Sequence, residues 1–293
     1  MGDHRYTLLD VFTATPLEGN GLAVVHDADE LDAAAMLALA RETRLSETTF
    51  VQRAEVAGAD YRNRIWTVEL ELPFAGHPSL GTAVAVARAE HGAPGPAVAT
   101  PRELRYVQQT GAGLQPIDVR LDAPDAAYAS MLQEPARLGA ELPRAEATHP
   151  LGLTPEHADR ALPPQLAGSG LTQLIVPLRD LDALARARPD WPAVERLLAA
   201  HGATVLYAAV CDPAAAHART RGFVSAAVGE DPATGSAAGP LCAYLAARAG
   251  CAALTIEQGI ELGRPSRIEA AMEGERPRVG GRVVAVADGT LHL

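Results

Sequence analysis

The chain contains no lysine: all 25 basic residues among its 293 are arginine. A pyridoxal phosphate enzyme needs a Schiff-base lysine, and a P-loop needs the lysine of its GKS/T end. Protein kinases and lysine-type aldolases depend on theirs as well. All of these classes are excluded. Cysteine is scarce too. Cys211, Cys242 and Cys251 are the only three, they form no CxxC pair, and an odd number is no disulfide framework. Small buried thiols in a reduced, cytoplasmic protein are expected. No apolar run approaches the ~18 residues of a membrane-spanning helix. The opening residues lack the basic and apolar regions of a signal peptide, and Tyr6 stands where myristoylation needs Ser or Thr. Net charge is −11 and the arginines form no run. Such a surface repels phosphate backbones, so neither nucleic acid nor membrane is an expected partner. No GxGxxG follows a strand-like run, no GxSxG is found, and the nine histidines show no HxxxH or HxH spacing. No cofactor and no metal are therefore expected.

What is present is an alternation of strand-like runs and small-residue helices. Residues 6–13 and 22–25 read as strands around a turn at Pro16 and Gly19-Asn20-Gly21. Residues 29–43 carry apolar positions at helical spacing. Strands are expected from Phe50 and over 61–72, a helix from Gly76-His77-Pro78 to about Arg88, and a connecting loop over 91–100. Strands over 104–109 and 114–121 follow. The Pro/Ala-rich stretch 123–164 holds a short helix after Thr154-Pro155. The remainder reads as strands over 171–177, 205–210, 222–228, 254–257, 268–272 and 281–287, with helices over 192–201 and from about Gly235 to Arg248.

The two halves echo each other. Strand, loop, Phe74-Ala75-Gly76-His77 and a helix reaching Arg88 find a counterpart in strand, loop, Ala233-Thr234-Gly235-Ser236 and a helix reaching Arg248. This predicts an α+β fold of two pseudo-symmetric halves, each a β-sheet wrapped around a central α-helix. The active site is expected in the cleft between them. The N-terminal half is assigned to 1–116, joined by the last strand at about 279–293, and carries Glu47 and the Gly76-His77 helix start. The C-terminal half is assigned to 117–278 and carries Asp231 and the Gly235-Ser236 helix start.

Gly76-His77 and Gly235-Ser236 each open a helix, where unpaired N–H groups and the helix dipole suit a carboxylate. They are equally readable as ordinary helix starts with Gly chosen for packing. Glu47, in Ser46-Glu-Thr-Thr, is a solvated loop carboxylate, or a general base if it is partly buried. Asp231 precedes a proline, which fits a turn residue as well as a site residue lying shortly before the second helix start.

Taken in order, several stretches resemble the phenazine-biosynthesis PhzF-like family, which shares the diaminopimelate epimerase-like fold. They are Asp10-Val-Phe-Thr13 with Gly19-Asn20; Leu45-Ser-Glu-Thr-Thr-Phe50; Glu71-Leu-Pro-Phe-Ala-Gly-His-Pro-Ser-Leu-Gly-Thr82; Thr110-Gly-Ala-Gly-Leu114; Glu230-Asp-Pro-Ala-Thr-Gly-Ser-Ala-Ala-Gly239; and Gln258-Gly-Ile-Glu-Leu-Gly-Arg-Pro-Ser-Arg267. The resemblance implies that Glu47 shuttles a proton and that His77, Asp231 and Ser236 complete the polar site. It implies that Gly76 and Gly235 lend N–H groups to a substrate carboxylate, with Asn20 and Thr234 also contacting substrate. It further implies a homodimer. Racemases of this fold use two cysteines, one before each of the two glycines; here those positions are Ala75 and Thr234. A two-thiol racemase is thereby excluded, and isomerisation by one carboxylate, which takes a proton and returns it elsewhere, remains. The family's phenazine member acts on a dihydro-3-hydroxyanthranilate. A cofactor-free dehydratase or lyase and a non-catalytic binding relative are the alternatives.

Overall fold

A computed structural model describes residues 2–91, 101–123 and 125–293. Chain contacts divide into two units. The first ends at Met131 and resumes over Gly280–Leu293; the second is Leu132–Val279.

The first unit contains β1 (Asp3–Val11), β2 (Asn20–Val25), α1 (Ala33–Thr43), β3 (Glu47–Gln52), β4 (Tyr61–Trp66), β5 (Glu71–Leu72), α2 (Gly76–His91), β6 (Arg102–Thr110), β7 (Gly113–Leu121) and β8 (Ala126–Leu132). β1 pairs antiparallel with β2, β2 parallel with β3, and β3 antiparallel with β4. β4 pairs antiparallel with the short β5 and parallel with β6, and β6, β7 and β8 follow as an antiparallel meander. Parallel neighbours need a crossover, and α1 and α2 provide it. α1 starts at Asp32, whose carboxylate accepts the Ala35 N–H at 2.8 Å, and ends at Arg44 in the left-handed region. Its Met36, Leu39 and Ala40, one face at i, i+3 and i+4, pack with Val25, Phe50 and Trp66.

α2 is different: every residue from Gly76 to Ala87 is buried. It packs against β1, β2, β3, β4, β6 and β7. Glycine at the tightest contact permits this approach. A Cβ at Gly81 would meet Leu22 Cδ2 at 2.5 Å and Val11 Cγ2 at 2.9 Å.

The second unit contains β9 (Arg137–Glu141), α3 (Arg144–Thr148), β10 (Gln165–Ser169), β11 (Leu171–Pro177), α4 (Leu181–Arg186), α5 (Trp191–His201), β12 (Val205–Asp212), β13 (His217–Ser225), β14 (Gly229–Asp231), α6 (Gly235–Ala249), β15 (Ala253–Gln258) and β16 (Ser266–Glu273). β17 (Arg276–His292) then returns, and its later residues pair antiparallel with β1 from Val11↔Val283 to Asp3↔His292. Within the second unit β10 pairs antiparallel with β9 and β11, β11 parallel with β12, and β12 antiparallel with β13. β13 pairs antiparallel with β14 and parallel with β15, and β15 antiparallel with β16. α4 and α5 cover Leu174, Val176 and Leu206. α6 is buried over most of its length against β9, β10, β11, β15 and β16.

Several expectations change. The division falls at 131/132 rather than 116/117, because residue 116 lies within a nine-pair β6–β7 hairpin that β8 extends. Asn20 is the first residue of β2 rather than part of a turn. The stretch 123–164, expected to be mostly irregular, contains β8, β9 and α3, and its helix after Thr154 is a single 3₁₀ turn, Pro155–His157. β9 is exposed along its length, so it shows no alternating apolar signal. The connecting loop expected over 91–100 lies outside the described residues apart from His91, the last residue of α2. Among the described residues no helix is long and apolar enough to cross a membrane.

Candidate active site

In the first unit the structure brings together Asn20, Glu47, Gly76 and His77. β2 and β3 are parallel, with Leu22 opposite Glu47, so the starts of both strands lie at one end of the sheet. The α2 start reaches the same place: His77 Nε2 lies 3.5 Å from Glu47 Oε2, and Asn20 Nδ2 lies 3.2 Å from His77 Nδ1. Glu47 is not a solvated loop residue. Its side chain is 16% exposed and that of His77 is 6%.

Asn20 Oδ1 accepts the Ser46 hydroxyl at 3.0 Å, which orients the Asn20 amide so that Nδ2 faces the imidazole. Nδ2 is a donor only. His77 Nε2 faces Glu47 Oε2 at 3.5 Å without a hydrogen bond. Burial pulls the His77 pKa down to about 3, opposed by a hydrogen bond with the Gly21 backbone. His77 is thus a neutral imidazole beside a carboxylate, in surroundings where a charged imidazolium is disfavoured.

A pH dependence of stability follows. His26, buried beside Arg5, is pulled down to about 4, chiefly by its burial. Both histidines have the ordinary value near 6.5 when unfolded, so below that the unfolded chain binds the additional protons. Their stabilising contribution is complete above about pH 6.5 and is lost as pH falls toward 4, each group costing about 1.4 kcal/mol per pH unit in that window. Denaturant titrations from pH 7 to 4.5 will show this fall, and His26→Asn will flatten its slope. A slope unchanged by that substitution would contradict the assignment.

In the second unit the structure brings together Asp231, Thr234, Gly235 and Ser236. Asp231 ends β14 and is half-buried. Its Oδ2 accepts the Thr234 hydroxyl at 2.7 Å. Thr234 occupies the N-cap position of α6, but its side chain is turned to Asp231 rather than to the helix. Ser236 is half-buried in the first turn of α6. Beneath them lies Gln258, fully buried. Its Nε2 donates to Asp231 O at 2.7 Å and Thr234 Oγ1 at 2.9 Å, and its Oε1 accepts from Tyr207 Oη at 2.9 Å and the Thr234 N–H at 3.2 Å. One amide therefore fixes the whole turn before the helix.

Sequence reasoning missed Ser46 and Gln258 as supports. Both stand in stretches quoted above for the family resemblance, beside Glu47 and at the head of Gln258–Arg267. The three cysteines have no place in either set; all are free, and burial pushes the Cys211 and Cys242 thiols up to about 12.

The phenazine biosynthesis-like protein family matches residues 9–289. The chain belongs to that family. A trans-2,3-dihydro-3-hydroxyanthranilate isomerase of Pseudomonas aeruginosa is 35% identical over 310 aligned residues, covering 99% of this chain and 100% of the relative. A solved structure from the same organism, of a predicted epimerase, is 34% identical with a TM-score of 0.82, covering 98% of this chain and 99% of its own. A phenazine biosynthesis protein of the PhzF family from Bacillus anthracis is 26% identical with a TM-score of 0.84 over 100% of both chains. This PhzF-like chain thus has the strand-rich α+β fold of its family, and the family is one of isomerases.

Proposed function

We propose that the chain is a cofactor-independent isomerase that shifts a proton within a small cyclic or unsaturated carboxylic or amino acid of dihydro-3-hydroxyanthranilate type. Glu47 removes the proton and returns it elsewhere along the conjugated system. The observation that carries this reading is the Glu47–His77–Asn20 array: a half-buried carboxylate at 3.5 Å from a neutral imidazole whose ring is oriented by a buried amide. A neutral imidazole beside Glu47 lets that carboxylate gain and lose a proton without creating a second buried charge.

The pairing orders support reading the units as pseudo-symmetric copies. β1, β2, β3, β4, β5, β6, β7 and β10, β11, β12, β13, β14, β15, β16 repeat the same sequence of antiparallel and parallel neighbours. The buried helices α2 and α6 fall at equivalent places in the two pairing orders, which supports reading each as the central helix of its half. On this alignment the polar groups do not repeat. Glu47, the residue before the first β3–β4 pair, corresponds to Val205, and Asp231 corresponds to Leu72. A site with one base supports proton return by the same carboxylate rather than inversion between two.

In this reading the N–H groups at Gly76 and Gly235 bind the substrate carboxylate. Asp231, Thr234, Ser236 and Asn20 hold its amino or hydroxyl group, and His77 sets the protonation state of Glu47. Base catalysis contributes about 10²–10⁴-fold, and orientation and exclusion of water supply the rest. The homodimer and the cytoplasmic location belong to the same reading, carried over from the family and the composition.

The test is the mass of the product. Purified protein given trans-2,3-dihydro-3-hydroxyanthranilate will yield a product of unchanged mass. Loss of water would establish a dehydratase on this fold, and bound but unconverted substrate a binding protein.

A further inference from the structure

The two motifs that resemble the family most closely both open on a glutamate, Glu71 and Glu230, to which the proposed chemistry gives no task. The structure gives each the same partner geometry. Arg64, on β4, donates through Nε and Nη2 to both oxygens of Glu71 on β5, each at 2.7 Å. Arg221, on β13, donates through Nε and Nη2 to both oxygens of Glu230 on β14, at 2.8 and 2.6 Å. Each guanidinium also lies over an aromatic ring two residues along its own strand: Arg64 is 5.6 Å from the Trp66 ring and Arg221 is 5.0 Å from the Phe223 ring. In register, Trp66 stands opposite Glu71 and Phe223 opposite Glu230. One device is therefore built twice, each time across the short hairpin that feeds a buried helix.

The two copies differ in depth. The Arg64 and Glu71 side chains are 16% and 36% exposed; those of Arg221 and Glu230 are 7% and 9%. Arg221 is committed further, because its Nη1 donates to Leu184 O and Ala187 O, both at 3.0 Å, at the C-terminal end of α4. It thereby ties α4, β13 and β14 together with both termini of its guanidinium. From Glu230 the chain runs directly into Asp231 and then the turn to Gly235.

We propose that the Arg221–Glu230 pair is a positioning clasp that sets Asp231 and the α6 start in their substrate-binding geometry, with Arg64–Glu71 as its shallower counterpart before α2. The proposal rests on the reading of Asp231 and the α6 start as part of the site. A buried bidentate pair is a poor source of net stability, since hydrophobic residues of similar volume replace such pairs with little loss, but it fixes direction. The chemistry thus separates positioning from stability.

Three full-length variants test it: Glu230→Gln, Arg221→Lys, and the double replacement Arg221→Met with Glu230→Leu. Turnover of trans-2,3-dihydro-3-hydroxyanthranilate, thermal unfolding and amide hydrogen exchange over 231–238 are measured on each. All three variants are expected to lose about tenfold or more in kcat/KM, mostly through KM, and to exchange faster over 231–238. The double variant, with no charge left buried and unpaired, is expected to recover wild-type unfolding but neither kinetics nor protection. A double variant that recovers all three would make the pair merely structural and overturn the proposal. If the wild type does not convert the substrate, the isomerase reading fails while the exchange measurement still decides the clasp. Unchanged protection over 231–238 overturns it, and loss of protection there, with none from Arg64→Met combined with Glu71→Leu, sustains it.

Discussion

Replacing Glu47 by Gln will leave a folded protein that binds its substrate and converts it about 10³-fold more slowly or worse, within the range a positioned acid–base group supplies. Glutamine has the shape of glutamate and can remain at the head of β3, where the backbone pairing of Thr48 with Trp66 fixes its position. It fills the same space 3.5 Å from neutral His77, so the ring need not move. What it lacks is basicity. Substrate affinity is expected to stay within a few-fold, because the carboxylate is assigned to the helix starts and not to Glu47. The loss should thus fall on kcat, the signature of a group needed only during reaction. Equal turnover by wild type and Glu47→Gln would remove Glu47 from the mechanism and leave the fold intact.

Gly259→Ala will lower stability by roughly 3 kcal/mol, the combined scale of placing alanine in the left-handed region and overpacking a filled site. Gly259 has φ +78°, and a Cβ on it would lie 2.3 Å from Arg264 O and 2.6 Å from Pro232 O. Those neighbours are backbone atoms, so no rotamer change relieves the contact. Pro232 follows Asp231, and the Ser266 hydroxyl holds the same carbonyl at 3.1 Å. The strain is therefore delivered to the turn that Gln258 fixes, and kcat/KM should fall together with stability. Gly113→Ala, at φ +105° but with nothing within 4 Å of the added Cβ, separates the two contributions: it carries the backbone penalty alone. Urea unfolding of both variants will show the larger loss for Gly259→Ala. Equal losses would mean that the contact with Pro232 and Arg264 is relieved.

The sequence made the helix starts legible because a helix buried all round needs small residues at its closest contacts, and Gly76–Ala87 and the run from Gly235 are rich in them. The burial of Glu47 was not. It depends on Asn20 and His77, which are distant in sequence and meet only because β2 and β3 run parallel. The unit boundary was missed at 116 because β8, which extends the β6–β7 hairpin from Leu121↔Ala127 to Ile117↔Met131, lies in a Pro/Ala-rich stretch that was not read as strand. The strands β9 and β14 were missed because one is exposed throughout and the other has only three residues. The Arg–Glu pairs lay in plain view, seven and nine residues apart, but only the hairpin register shows that each arginine reaches its glutamate.

The central claim is that one carboxylate moves one proton within an unbroken substrate. The most direct measurement is NMR of the reaction with trans-2,3-dihydro-3-hydroxyanthranilate in D₂O. The account predicts an isomer with its skeleton intact and no more than one deuterium, on the carbon that gains the proton, formed by the wild type and not by Glu47→Gln. A product that has lost water, deuterium at several carbons, or a substrate left untouched by the wild type would contradict it.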